Sequence, residues 1–549
     1  MDAQTLCRQA TEHHKNGGHT EAERLYLQAL AIEPGNFAAL HLLGVLRSQT
    51  GRKAEALELI NAALAVKPDV PTALMNHGLL LQELLRPADA LVSFERALAL
   101  KPDFAAARYG RADALKDLQR FEEALADYDL ALDLRPGNAQ ALSNRAGVLR
   151  ALGRDEEALA SYNSALAAAP GDAAIWKNRG HLLREQNRSG EALASYDQAL
   201  ALSPRDAEAW DDRGAALHGM KRFDEAMASF EQAIAADPDY APAWFHKALG
   251  LLLAGDLRPA WPLLEWRYKL AGAPAPKNHA GPEWSGIENI AGKTLFVRWE
   301  EGLGDTIQFF RFVLLAAARG AKVIFSVPDR LAQLFREAGS GVEIIGAHET
   351  PPRFDYHIPL LSLPLAFGTE VETIPAATSY LRADAARVTS WTGRTGSGGF
   401  RIGVVWATTT SRSLGRSFPL GALEGLAKLP SVRLISLQKQ DGLEQLNHLP
   451  PGMDVEVYDF DQGSDAFLDT AAMMENMDLI ISADTSTAHL AGALGRPIWL
   501  ALKYVSDWRW FLDRADSPWY PSMRLFRQQA DGDWTGVFAQ MQAELARRL

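Results

Sequence analysis

Cysteine is almost missing: the 549 residues contain one, Cys7. A lone thiol cannot close a disulfide within the chain, and zinc held by a set of thiolates is excluded. Long apolar runs are missing too. No stretch approaches the roughly 20 residues that cross a bilayer, and the N-terminus has no basic segment followed by an apolar one. Together these point to a soluble protein of a reducing, cytoplasmic compartment. Positive charge is in deficit, with 56 Lys and Arg against 68 Asp and Glu, a net charge of −12 and a pI near 5.6. Without a basic stripe to neutralise phosphates, the composition argues against a nucleic-acid partner.

What is present is periodic. Proline recurs at Pro34, Pro68, Pro102, Pro136, Pro170, Pro204 and Pro238. Counted from Ala3, the twentieth position of every unit is alanine, from Ala22 to Ala260. The eighth position is only Gly or Ala (Gly44, Gly78, Ala112, Ala146, Gly180, Gly214, Ala248), and the twenty-fourth is mostly aromatic (Tyr26, Phe94, Tyr128, Tyr162, Tyr196, Phe230). A period of about 34 residues with small residues facing large ones is that of tetratricopeptide helix pairs. Each pair leaves one face uncovered, so seven full units and one partial unit over residues 1–274 should stack into an α-solenoid, a superhelix with a concave groove. By analogy to the fold, that groove would hold a segment of another protein.

After Trp261, Trp266 and Tyr268 a Pro/Gly/Ala linker runs from Ala271 to Pro282, and the apolar pattern changes. Short β-rich runs now alternate with helical stretches: Thr294 to Trp299, a helix to Arg319, Val323 to Val327, and a helix to Ala338. A Gly/Ser/Thr-rich break at Thr392 to Gly399 precedes a second series: Ile402 to Trp406, a helix around Leu420 to Lys428, Leu434 to Gln438, Val455 to Phe460, a helix to Met477, Leu479 to Ala483, and Ile498 to Leu502. Alternation of this kind implies two parallel sheets wrapped by helices, over residues 283–391 and 399–549, with a cleft between them. Ligands in such sheets lie beyond the carboxyl ends of strands, so the loops there are the places to look for chemistry.

Three loops qualify. Trp299, Glu300, Glu301, Gly302, Leu303, Gly304, Asp305, Thr306 close the first strand and open a helix. Two glycines let backbone approach a ligand, but a nicotinamide fingerprint needs a third glycine where Ile307 stands, so that cofactor is rejected. Asp305 either caps the helix or takes a proton from an acceptor hydroxyl. The second loop, Asp484, Thr485, Ser486, Thr487, Ala488, His489, offers amides and three hydroxyls at a helix start, which suits a diphosphate, while Asp484 alone would suffice as a cap. His489 by itself reads as structural, yet it stands one turn into that helix. The third is the polar loop after Trp406, with Thr408, Arg412 and Arg416, beside Gln438 and Lys439 at the end of the next strand; its cations would neutralise a leaving phosphate or lie solvated on the surface. Asp459 and Asp461 have the spacing of a metal pair found in other sugar transferases, but three residues are a weak pattern and the layout does not require a metal.

Gly302, Leu303, Gly304, Asp305 together with Asp484 through Gly495 resemble glycosyltransferase family 9, the heptosyltransferase-like enzymes. The order of repeats followed by this domain is similar to bacterial repeat-containing glycosyltransferases and, more distantly, to O-GlcNAc transferase, a likeness covering nearly the whole chain. The resemblance implies a GT-B fold of two Rossmann-like domains, with the acceptor side at 283–391 and the donor side at 399–549. It implies a nucleotide-sugar as substrate, no cofactor, no metal, and inversion at the anomeric carbon. Asp305 matches the general base, and Asp484 to His489 match the donor loop. The chain has Ser486 where the family carries glycine, and the loop after Trp406 has no clear counterpart. The function expected is sugar transfer to Ser or Thr of a protein held by the repeats, with flagellin as one acceptor that some enzymes of this layout modify. The donor contacts expected are Gly302, Gly304, Trp406, Thr408, Arg412, Arg416, Gln438, Lys439, Asp484, Thr485, Ser486, Thr487 and His489. The alternatives are a transferase acting on lipopolysaccharide or another glycolipid, and a repeat scaffold with an inactive transferase domain.

Overall fold

The computed structural model describes residues 1–273, 281–300, 302–408, 415–462 and 466–549. The chain divides into two compact units, Met1–Ala216 and Leu217–Leu549.

In the first unit the helices come as antiparallel pairs: Ala3–Lys15 with His19–Ile32, Phe37–Gln49 with Lys53–Val66, Pro71–Glu83 with Pro87–Leu100, Ala105–Asp117 with Phe121–Leu134, Ala139–Ala151 with Asp155–Ala168, and Ala173–Glu185 with Ser189–Leu202. The periodic proline follows shortly after each second helix, where it cannot continue the helical hydrogen bonding. Asn36, Asn138 and Asp172 then cap the helices that follow by accepting from the amides of Ala39, Ala141 and Ile175. The small-against-large pairing read from the repeat holds these helices together. A β-carbon at Gly78 would lie 2.7 Å from the Phe94 ring, and one at Gly180 would lie 2.6 Å from Tyr196. Ala22, Ala56, Ala90, Ala124, Ala158 and Ala192 are all fully buried. No larger side chain fits there, which is why the unit is a tetratricopeptide helical solenoid.

The second unit begins with the end of the repeat series, including Phe223–Ala236, Ala241–Ala254 and Leu257–Leu264. Leu252, Leu257 and Trp261 share one apolar core with Leu295, Phe310 and Leu490 of the α/β region. Trp261 Nε1 donates to the Thr369 carbonyl at 2.8 Å, and its ring meets Trp508 edge-on at 5.9 Å. Trp244 and Trp266 instead stack on each other, 5.3 Å apart, with the Lys269 ammonium over Trp266.

Two parallel sheets follow. The first contains β1 (Thr294–Arg298), β2 (Lys322–Val327), β3 (Glu343–Gly346) and β4 (Tyr356–Pro359) in the order β3-β2-β1-β4. The second contains β5 (Phe400–Val405), β6 (Val432–Ser436), β7 (Val455–Glu456), β8 (Leu479–Ala483), β9 (Ile498–Leu502) and β10 (Met523–Arg527) in the order β10-β9-β8-β5-β6-β7. In both, the strand order reverses beside the first strand, between β1 and β4 and between β5 and β8, as in doubly-wound sheets. All residues of β8 and β9 are buried, as strands covered on both faces must be.

Two elements differ from the sequence reading. The extended run expected over Val455 to Phe460 pairs only at Val455–Glu456. Asp461, with a φ of 49°, turns the chain there, and its carboxylate accepts from the Asp469 and Thr470 amides to start the helix Leu468–Glu475. The break expected from Thr392 begins later, because a helix runs through Ala385–Thr395. Trp391 Nε1 donates to Asp469 at 3.0 Å and Thr392 Oγ1 to Asn476 at 2.5 Å, which anchors that helix on the second sheet's flank. Among the described residues, no helix is long and apolar enough to cross a membrane.

Candidate functional site

Two helices begin at the reversal points. The chain leaves β1 through Trp299 and Glu300 and enters the helix Leu303–Ala318; it leaves β8 through Asp484 and Thr485 and enters the helix Ser486–Ala493. The two helix starts touch. A β-carbon on Gly304 would lie 2.9 Å from His489 Cδ2 and 3.6 Å from Ser486 Cα. Gly302, at φ 104°, occupies backbone space that side chains rarely allow, and a β-carbon there would meet Asp305 Oδ2 at 2.5 Å. One glycine turns the chain into the helix under the Asp305 carboxylate; the other lets the two helices approach.

Asp305 lies at the third helical residue, and its Oδ1 accepts from Arg509 Nη2 at 2.5 Å. Arg509 stands on the turn Trp508–Trp510 beyond β9. It also donates Nη1 to Asp507 Oδ1 at 2.8 Å and Nε to Gln308 Oε1 at 2.7 Å. Asp507 Oδ2 in turn accepts from Arg416 Nη2 at 3.3 Å, and Arg416 Nη1 lies 3.7 Å from Asp484 Oδ2. A line of alternating charge therefore runs from Asp305 to Asp484. Burial raises the Asp305 carboxyl above its ordinary range while Arg509 opposes the rise, and burial raises Asp484 against Arg416. Burial would raise Asp507 as well, but Arg509 and Arg416 outweigh it and hold that carboxyl low. Lys503, just beyond β9, is held below the usual lysine range by burial and then by Arg416. The Asp305 side chain keeps 28% of its surface exposed. A reachable carboxylate with raised proton affinity is suited to take a proton.

The other expected residues are placed as follows. His489 is buried; its Nδ1 shares a hydrogen bond of 2.9 Å with the Tyr520 hydroxyl, and its ring stacks on Trp510 at 5.4 Å. Burial lowers its value to about 3, so it stays neutral and serves as packing behind Gly304. Trp406 is fully buried, with Nε1 donating to the Gly442 carbonyl at 3.0 Å. Gln438 accepts from the Trp406 and Ala407 amides at 3.1 and 3.0 Å and donates to the Ala407 carbonyl at 3.2 Å, fastening the start of the loop after β5. The Thr408 amide donates to Ser417 Oγ at 3.1 Å, and Lys439 Nζ donates to the Phe460 carbonyl. Thr485 is the extended residue before the helix, and Ser486 and Thr487, its first two residues, are partly exposed. Arg412, like Glu301, lies outside the described residues. The fold thus gathers Gly302, Gly304, Asp305, Arg416, Asp484, Ser486 and His489, while Trp406, Gln438 and Lys439 bond to neighbouring backbone.

Sequence reading missed Gln308, Lys503, Asp507 and Arg509. The available signal was the run Ile498 to Leu502: a buried strand whose carboxyl end adjoins that of Leu479 to Ala483. It also missed the anchoring of Glu300, which accepts from Tyr268 at 2.5 Å, from the Leu361 amide at 2.8 Å, and from Arg267. In the first unit, His181, Glu208 and Asp212 bring ligand atoms within 4.8 Å of one another. Lys177 lies 2.5 Å from Glu208 and Arg184 3.7 Å from Asp212, so cations already balance both carboxylates.

Fold and site together define a repeat solenoid followed by a parallel α/β region in which paired charges gather where two helix starts meet. Tetratricopeptide-repeat family profiles match residues 13–75, 75–139, 112–173, 177–241 and 216–257. Protein FlbA of Caulobacter vibrioides is 29% identical over 317 residues, covering 53% of this chain and 52% of FlbA; the match spans about half of that relative's length. Among solved structures, a tetratricopeptide repeat protein from Parabacteroides merdae aligns at 22% identity over 45% of this chain and 98% of its own, with a TM-score of 0.38. YrrB, described as a TPR protein with an unusual peptide-binding site, aligns at 22% identity over 35% of this chain and 100% of its own, with a TM-score of 0.31.

Proposed function

We propose that the second unit is a glycosyltransferase of the GT-B type, metal-independent and inverting, which moves a sugar from a nucleotide-sugar to a Ser or Thr hydroxyl of a protein held by the repeats. Flagellin is one acceptor of suitable kind. The observation that carries this reading is the meeting of two helix starts at the strand-order reversals of two sheets, with Asp305 beside their contact. In this reaction the acceptor oxygen bonds to the anomeric carbon as its proton passes to Asp305, and the bond from that carbon to the diphosphate oxygen breaks. Amides at the start of Ser486–Ala493, together with Arg416, would offset the charge developing on the departing diphosphate.

Calorimetry of the full chain with UDP, GDP, ADP and CDP, with and without EDTA, tests the donor side. One nucleotide should bind, with its affinity unchanged by the chelator. Binding that vanishes with EDTA would overturn the metal-independent chemistry, and no binding by any of the four would leave the repeat scaffold as the better reading.

A further inference from the structure

The proposed chemistry uses Asp305 as a base, yet Asp305 shares a guanidinium with the cluster around the donor loop. We propose that Arg509 is a switch: an arriving nucleoside diphosphate draws its guanidinium away from Asp305, so that the carboxylate becomes an effective base only once the donor is in place. This rests on the donor reading given above and adds a positioning residue that controls the order of events.

The geometry argues for competition. Three carboxylates, Asp305, Asp507 and Asp484, share two guanidiniums, Arg509 and Arg416. Arg509 divides its donors among Asp305, Asp507 and Gln308. A diphosphate seated at Ser486 adds negative charge beside these carboxylates, whose cations are Arg509, Arg416 and the buried Lys503, and phosphate oxygens are strong, bidentate partners for arginine. Two polar atoms stand ready nearby. Gln308, fully buried, has its Oε1 on Arg509 while its Nε2 has no hydrogen-bond partner among the described residues; the same is true of Arg416 Nε. The charged groups acting on Asp305 are Arg509, Asp507, Glu300 and Arg416. His489, packed against Gly304, is neutral. Of these groups, Arg509 is the one in direct contact with the Asp305 carboxylate, so its departure raises the proton affinity of that carboxylate.

The consequence is measurable without turnover. If binding takes Arg509 off Asp305, binding is linked to proton uptake at Asp305. Calorimetry of the full chain with whichever of the four nucleoside diphosphates binds, repeated in buffers of different ionisation heat between pH 5 and 7, reads this uptake directly. Wild type should take up roughly 0.3 to 0.7 more protons per nucleotide than Asp305→Asn near the midpoint. Asp305→Asn keeps an oxygen for Arg509, so this comparison stands even where an Arg509 variant does not fold. Arg509→Met should bind about tenfold or more weakly and lose the extra uptake. Equal uptake by wild type and Asp305→Asn at comparable affinity would mean that the ion pair persists and would overturn the switch. Unaltered affinity in Arg509→Met would do the same. Failure of all four nucleotides to bind would instead remove the donor reading on which the switch depends.

Discussion

The contact between the two helix starts makes a sharp expectation for Gly304→Ala. On an isolated helix this change gains about 1 kcal/mol, because glycine is the poorer helix former. Here the new methyl would lie 2.9 Å from His489 Cδ2, closer than side chains pack. The imidazole cannot swing aside easily, since Tyr520 holds Nδ1 and Trp510 covers the ring face. Overpacking of a constrained site costs about 1–3 kcal/mol, so the clash wins and the variant should be about 1 kcal/mol less stable than wild type. In a His489→Ala background the ring is gone and the same substitution should stabilise by a few tenths to about 1 kcal/mol. The coupling across the cycle is then about 1.3–2 kcal/mol, within the range for residues in contact. Urea unfolding of the four full-length proteins, followed by tryptophan emission, measures it. Gly304→Ala stabilising the wild-type background would refute the argument that the two helix starts abut.

Asp305→Asn should lower turnover by about 10² to 10⁴ with the fold retained and nucleotide affinity no weaker than wild type, since Arg509 then leaves a neutral amide and not a carboxylate; turnover within threefold of wild type would remove the base role. His489 has a folded value of about 3 against 6.5 for free histidine, so the unfolded chain binds its proton first and stability falls as pH drops from 6.5 toward 3. His489→Gln should therefore remove up to about 2 kcal/mol of the acid-induced loss between neutral pH and pH 5, read from urea midpoints of the two proteins at each pH. Deleting residues 1 to 206 removes most of the first unit and leaves Trp261 in its core, so the remainder should stay folded by circular dichroism, hydrolyse donor slowly, and fail to modify the protein acceptor. Modification of the same protein at an unchanged rate would show that the groove does not hold the acceptor.

The repeats were legible because each unit restates the same packing problem: Ala56 and Ala90, or Gly78 against Phe94, solve it identically at a fixed interval. The strands of the α/β region were legible where burial on both faces produces unbroken apolar runs, as in Leu479 to Ala483 and Ile498 to Leu502. They were hidden where a strand is short and flanked by polar residues, as with Tyr356–Pro359, whose His357 and Pro359 do not read as strand core. Of the site, the two helix starts could be read because glycine and hydroxyl residues mark tight turns. The pairing of Asp305 with Arg509 could not. Those residues are 204 positions apart, on a helix after β1 and a turn after β9 of the other sheet, and no local spacing joins them. At Gln438 and Lys439 the sequence shows only polar residues at a strand end, and local spacing does not reveal that Gln438 ties down the backbone at Trp406 and Ala407 or that Lys439 reaches the Phe460 carbonyl.

The central claim is sugar transfer to a protein, and intact-mass spectrometry of cellular proteins tests it most directly. A strain lacking this chain would be compared with strains complemented by wild type and by Asp305→Asn. One protein should lose the mass of a sugar, singly or in multiples, in the deletion strain, regain it with wild type, and stay unmodified with Asp305→Asn. Unchanged protein masses in the deletion strain would contradict the account, and a shift confined to glycolipid would move the acceptor from protein to lipid.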